Sequence, residues 1–158
     1  MDEHTSLPRI LIAEDNPADV LMVREAFRQA ALACSIVLVK DGEQAIEFIE
    51  ALDQAGTSAR LDIALLDMHL PKRDGVAILR RLRSTEFHAQ TPVVAMTSSD
   101  AARDHQNAEK HAALHYFRKP MNLSEYMELG AIVSDILAGR AASPISSGNH
   151  AKEDGSPA

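Results

Sequence analysis

A single cysteine, Cys34, stands in a chain of 158 residues. One thiol excludes an internal disulfide and a Cys-based metal site, suits a reducing cytoplasm, and reads most simply as a small apolar residue near a strand start. No apolar run approaches eighteen residues, so no conventional membrane-spanning helix is expected. The first residues, Met1-Asp2-Glu3-His4, are acidic where a secretory signal would be basic. Basic clusters are missing too: 16 Lys and Arg face 23 Asp and Glu, for a formal charge of -7 and a pI near 5.4. Neutralising phosphates along a nucleic acid needs clustered Lys and Arg, so DNA binding is not expected. These absences point to a soluble cytoplasmic protein with neither DNA nor membrane as its partner.

What is present is an apolar core in short pieces. Hydrophobic residues make up 46 % of the chain, enough for one domain. Ile10-Leu11-Ile12-Ala13 is a buried strand with an acidic tip, Glu14-Asp15. Asn16-Pro17 follows as a helix start, and Val20, Val23, Phe27 and Ala30 recur at helical spacing. Ser35 to Val39 reads as a second strand, and Asp41-Gly42 opens a helix carrying Ala45, Ile46, Ile49 and Leu52. Gln54 to Arg60 reads as an exposed loop. Ile63 to Leu66 is a third strand ending in Asp67, and Asp74-Gly75 opens a helix with Val76, Leu79 and Leu82 on one face. Pro92 to Met96 forms a fourth strand with Thr97 and Ser98 at its tip. The segment from Ala101 to Ala113 is helical in propensity but has only alanines to bury, so it should be the loosest helix. His115 to Arg118 is a short fifth strand leading to Lys119-Pro120, and Asn122 caps a last helix that Gly139 stops. Residues 1–7 read as an extension, 8–138 as the domain, and 139–158, rich in Ser, Gly and charge, as a disordered tail.

Five strands alternating with five helices imply a doubly wound α/β fold with a parallel sheet and helices on both faces. Functional groups then collect at the carboxyl edge of the sheet, where Glu14, Asp15, Asp67, Thr97 and Lys119 all fall. Neighbouring carboxylates repel unless a cation is present, and hard oxygen ligands select Mg²⁺ or a similar ion such as Mn²⁺. With the metal bound, an ionised aspartate can attack phosphorus and form an aspartyl phosphate. Lys119 adds a positive charge, and Thr97 a hydroxyl for the phosphoryl group.

Glu14-Asp15, Asp67 followed by Pro71 and Gly75, Thr97, and Lys119-Pro120 together resemble the receiver domain of two-component response regulators over residues 8–138. Asp67 lies thirty residues before Thr97, and Thr97 twenty-two before Lys119, spacings similar to the chemotaxis receiver. Asp15 to Asp67, at fifty-two, is longer than usual, and the extra residues fall around Gln54 to Arg60. The Ala-rich segment, the Asn122-Leu123 restart and the lack of an output domain are similar to stand-alone regulators of bacterial phytochrome histidine kinases. The resemblance implies the flavodoxin-like sheet order 2-1-3-4-5 and Asp67 as phosphoacceptor. It implies direct Mg²⁺ ligation by Asp15, a water-mediated role for Glu14 in place of the commoner Asp, and the His69 carbonyl as a third ligand. Thr97 and Tyr116 are implied as a switch pair and Lys119-Pro120 as a cis peptide, and positions 69 and 99 influence phosphoryl lifetime in the family. A histidine kinase is the implied donor. The signal would leave by docking, by phosphorelay, or by homodimerisation through the 101–138 face.

Plainer readings compete with this one. His111 and His115 are four apart, but a strand begins between them, so a metal pair is not expected; Arg80, Arg81 and Arg83 read as a solvated helix face. A haloacid-dehalogenase-type phosphohydrolase would need an Asp two residues after its nucleophile, where this chain has His69. A phosphate-independent adaptor would have no use for so many clustered carboxylates. The chain is therefore expected to be a phosphoacceptor that catalyses only its own phosphorylation and slow dephosphorylation.

Overall fold

Strands that are apolar on both sides have to be covered on both sides, and this requirement organises the molecule. The computed structural model describes residues 6–56, 60–98 and 102–139. Five strands, β1 (Arg9–Ala13), β2 (Ser35–Val39), β3 (Ile63–Asp67), β4 (Val93–Thr97) and β5 (His115–Arg118), pair in parallel in the order β2-β1-β3-β4-β5. Alternate residues feed two cores. Ile10, Ile12, Ile63, Leu65, Val94 and Met96 pack with Val23 and Phe27 of helix α1 (Pro17–Gln29) and Leu129 and Val133 of helix α6 (Glu128–Leu137). Leu11, Ala13, Ala64, Leu66 and Ala95 face helices α2 (Gly42–Ala55) and α3 (Gly75–Ser84). Helix α4 (Ala102–Lys110) and the single turn α5 (Leu123–Tyr126) complete the order.

The helices start where short polar side chains can satisfy free backbone N–H groups. Asn16, Asp41, Asp74 and Asn122 accept from the N–H of Ala18, Gln44, Ala77 and Glu125. Three expectations change. The last helix is interrupted at Met127 into α5 and α6, and α2 runs on through Ala55, past the expected loop start at Gln54. Arg83 is no solvated charge: its guanidinium donates to the carbonyls of Ala89, Thr91, His111 and Ala112 at 2.8 to 3.2 Å. It ties the end of α3 to the entry of β4 and to the turn after α4, a long-range demand that helical periodicity does not carry. The expected tail beyond 139, residues 1–5 of the extension, residues 57–59 of the loop, and Ser99 lie outside the described residues.

Candidate functional site: an acidic cleft at the carboxyl edge

Asp67 is the last residue of β3, with β1 and β4 on either side, so the sheet brings the tips of three strands together. Its carboxylate is 6 % exposed and its neighbours orient it. Oδ1 accepts the backbone N–H of His69 at 2.8 Å, and Oδ2 accepts from Nζ of Lys119 at 3.0 Å. The turn after Asp67 requires glycine at 75, because a Cβ there would lie 2.6 Å from the Asp67 carbonyl oxygen and from Cα of Met68. Gly75 thus lets α3 start directly beneath the strand tip.

Glu14, 1 % exposed, sits beside it. One oxygen accepts the N–H of Asn16 at 3.1 Å and the other accepts from Lys119 Nζ at 2.6 Å. Burial, joined by the charge of Asp67, pushes the Glu14 carboxyl up to about 7 against the pull of Lys119. Burial by itself would discharge Lys119, but the hydrogen bond to Glu14 and the charges of Asp67 and Glu14 outweigh it and hold the ammonium above its ordinary pKa. Asp15 is exposed, and oxygens of Glu14, Asp15 and Asp67 all lie within 4.8 Å of one another. Such a set of hard oxygen donors fits Mg²⁺ or Mn²⁺.

Thr97, at the tip of β4, is fully buried, and its hydroxyl donates to Oδ2 of Asp104 at 3.1 Å. The imidazole Nε2 of His69 lies 2.6 Å from that same oxygen. Tyr116 is half-buried, its ring edge-on to His105 with centroids 4.9 Å apart. The fold therefore gathers Glu14, Asp15, Asp67, His69, Thr97 and Lys119 at one edge, and it sets Tyr116 against α4. The Lys119–Pro120 peptide is trans, contrary to the expected cis bond. Trans is the form an X–Pro bond prefers by about 0.5–1 kcal/mol, and in it Lys119 already reaches its carboxylates. His111 falls in the turn after α4 while His115 opens β5, which separates the pair as expected.

Sequence reasoning missed three contributors. Asp19 accepts from Lys119 at 3.1 Å and from the Tyr126 hydroxyl at 3.3 Å, and burial followed by the Asp19 charge raises the pKa of that phenol. Its signal was its place in the first turn of α1, just past the acidic tip of β1. Asp104 was hidden in an alanine helix, yet it stands four residues before Ala108, the spacing that puts both on the inner face. No local pattern announced Tyr126 as more than core.

Comparison with known proteins gives one family. The model described as response regulator receiver domain matches residues 10–129. Response regulator Rcp1 of Synechocystis sp. is 27 % identical over 130 residues, covering 82 % of this chain and 88 % of that protein. A crystal structure of the phosphorylated cyanobacterial phytochrome response regulator RcpA superposes with a TM-score of 0.75 at 26 % identity, covering 89 % of this chain and 100 % of that one. Response regulator RPA3017 in red light signalling of R. palustris gives a TM-score of 0.73 at 29 % identity, with the same coverages.

Proposed function

This chain belongs to the response regulator receiver family, and from that premise we propose that it is a phosphoryl-accepting switch in which a histidine kinase phosphorylates Asp67. The observation that carries the reading is the approach of Lys119 Nζ to within 3.0 Å of a buried Asp67 carboxylate whose oxygens cluster with those of Glu14 and Asp15. An Asp67 oxygen attacks the phosphorus of a phosphohistidine. The new O–P bond forms as the P–N bond breaks, and the electron pair returns to the leaving imidazole. The His69 N–H holds the attacking carboxylate in place, and Lys119 offsets the charge that gathers on the phosphoryl oxygens. Asp15, Asp67 and the His69 carbonyl would hold Mg²⁺ or Mn²⁺, with Glu14 acting through water. The ion would neutralise the phosphoryl oxygens and the carboxylate cluster. A cleft of about 560 Å³, lined by Asp19, Ser98, Lys119, Pro120 and Met121 among others, gives a donor room beside Lys119.

The likeness to RcpA, a cyanobacterial phytochrome response regulator, supports a bacterial phytochrome kinase as donor. The Mn²⁺-bound form of Rcp1, with a TM-score of 0.73 at 25 % identity, supports the metal. Thr97 and Tyr116 act as the switch pair, and the message leaves through the face formed by α4, β5 and α6, by dimerisation, docking or phosphorelay. No helix among the described residues is long and apolar enough to cross a membrane.

Incubation with Mg²⁺ and a small phosphodonor is expected to give one phosphoryl adduct by intact mass. An adduct that persists in Asp67→Ala, or none in the wild type, refutes the assignment. Sustained turnover of free phosphate esters would favour a phosphohydrolase, and partner binding indifferent to Asp67→Asn an adaptor.

A further inference from the structure

One oxygen of Asp104 joins α4 to the acidic cleft. Oδ2 accepts the Thr97 hydroxyl at 3.1 Å and the His69 ring N–H at 2.6 Å. A carboxylate in the first turn of a helix suits the helix dipole, but this one is only 6 % exposed, and burying it is costly unless donors meet it. Both donors come from the phosphoacceptor's surroundings. His69 links the two carboxylates through one residue, its backbone N–H on Asp67 and its ring on Asp104. Apart from Asp104, α4 fully buries only Ala108, so this carboxylate is its chief polar tether to the site.

We propose, resting on the phosphoryl-switch reading, that Asp104 is a positioning residue: it holds the Thr97 hydroxyl on α4 in the unphosphorylated chain, and phosphorylation has to break that hydrogen bond before Thr97 can serve the phosphoryl group. A hydroxyl carries one proton and donates it to one acceptor at a time. Asp104 and a phosphoryl oxygen therefore compete for Thr97, and the competition sets the balance between two arrangements of α4. The phosphoryl group also adds negative charge near a buried carboxylate, which disfavours the tethered arrangement. Release passes to the next residue, His105, whose ring lies against Tyr116. Hydroxyl, aromatic ring and helix then shift together because residues 104 and 105 are consecutive.

The test is the affinity for beryllofluoride with Mg²⁺, a phosphoryl mimic, measured by calorimetry. The proteins compared are wild type, Asp104→Ala, Asp104→Asn, Thr97→Val and Thr97→Val/Asp104→Ala. Removing a hydrogen bond to a charged group that opposes activation should tighten binding about tenfold in Asp104→Ala. Asp104→Asn, which keeps the size and one acceptor, should fall between, and it carries the comparison if the alanine variant does not fold. In the Thr97→Val background the gain should vanish, which a purely structural role for Asp104 would not produce. A wild type that binds beryllofluoride while Asp104→Ala and Asp104→Asn bind no more tightly, or an equal gain with and without Thr97, overturns the tether alone. A wild type that takes neither beryllofluoride nor phosphoryl overturns the tether and the phosphoryl-switch reading together.

Discussion

At the scale of the residue, Glu14 carries the clearest consequence of burial. Its carboxyl titrates at about 7 in the folded chain against 4.5 when unperturbed, because it is desolvated and faces Asp67. Between those values the folded chain holds a proton that the unfolded chain has released. The stability Glu14 contributes is therefore fully present below 4.5 and lost as pH rises through about 7. His88, His111 and His115 act in the opposite sense, since burial lowers each of their pKa values and their contribution is lost as pH falls below the ordinary 6.5. A divalent cation favours the ionised glutamate, so loading Mg²⁺ near neutral pH should release a proton fraction. Calorimetry in two buffers of different ionisation heat should register that release in the wild type and lose it in Glu14→Gln. Equal heats in both buffers for the wild type would contradict the account.

At the scale of the element, Arg83 governs how the end of α3 meets its neighbours. Its four carbonyl contacts join segments 6 to 29 residues away in sequence, and burial lowers the pKa of its guanidinium. Arg83→Ala would leave those carbonyls without their donor and should cost about 3 kcal/mol of stability in urea unfolding. Arg83→Lys should recover less than half, because an ammonium lacks the planar fork. A loss under about 0.5 kcal/mol, the usual range for open surface positions, would make Arg83 the solvated charge that its spacing suggests. Gly75 is a second such joint, since only hydrogen leaves room for α3 beneath the Asp67 strand tip.

At the scale of the whole molecule, the sheet and most of the cleft were legible because both depend on local rules. Ile63 to Asp67 and Val93 to Thr97 are apolar runs ending in polar groups, and a parallel sheet carries all such endings to one edge. Asn16, Asp41, Asp74 and Asn122 marked the helix starts by their own chemistry. Asp19, Asp104 and Arg83 were not legible in the same way. Each is an ordinary charged residue on a helix, and its partners lie up to 107 residues away, where only the assembled fold sets them in reach. The trans peptide at Pro120 has a similar cause, because the resemblance spoke for the family and not for this loop.

The shared oxygen of Asp104 should constrain the lineage of this chain as well as its energetics. Residues 69, 97 and 104 come from a loop, a strand tip and a helix, yet they meet at a single atom. The acid at 104 and the imidazole at 69 are the pair that should not drift separately, because each is the other's side-chain partner. Among close relatives, loss of the acid at 104 should coincide with loss of the imidazole at 69, while 97 keeps a hydroxyl that has found another acceptor. Independent substitution at 69 and 104 across such sequences would mean that their meeting in this structure carries no selective weight.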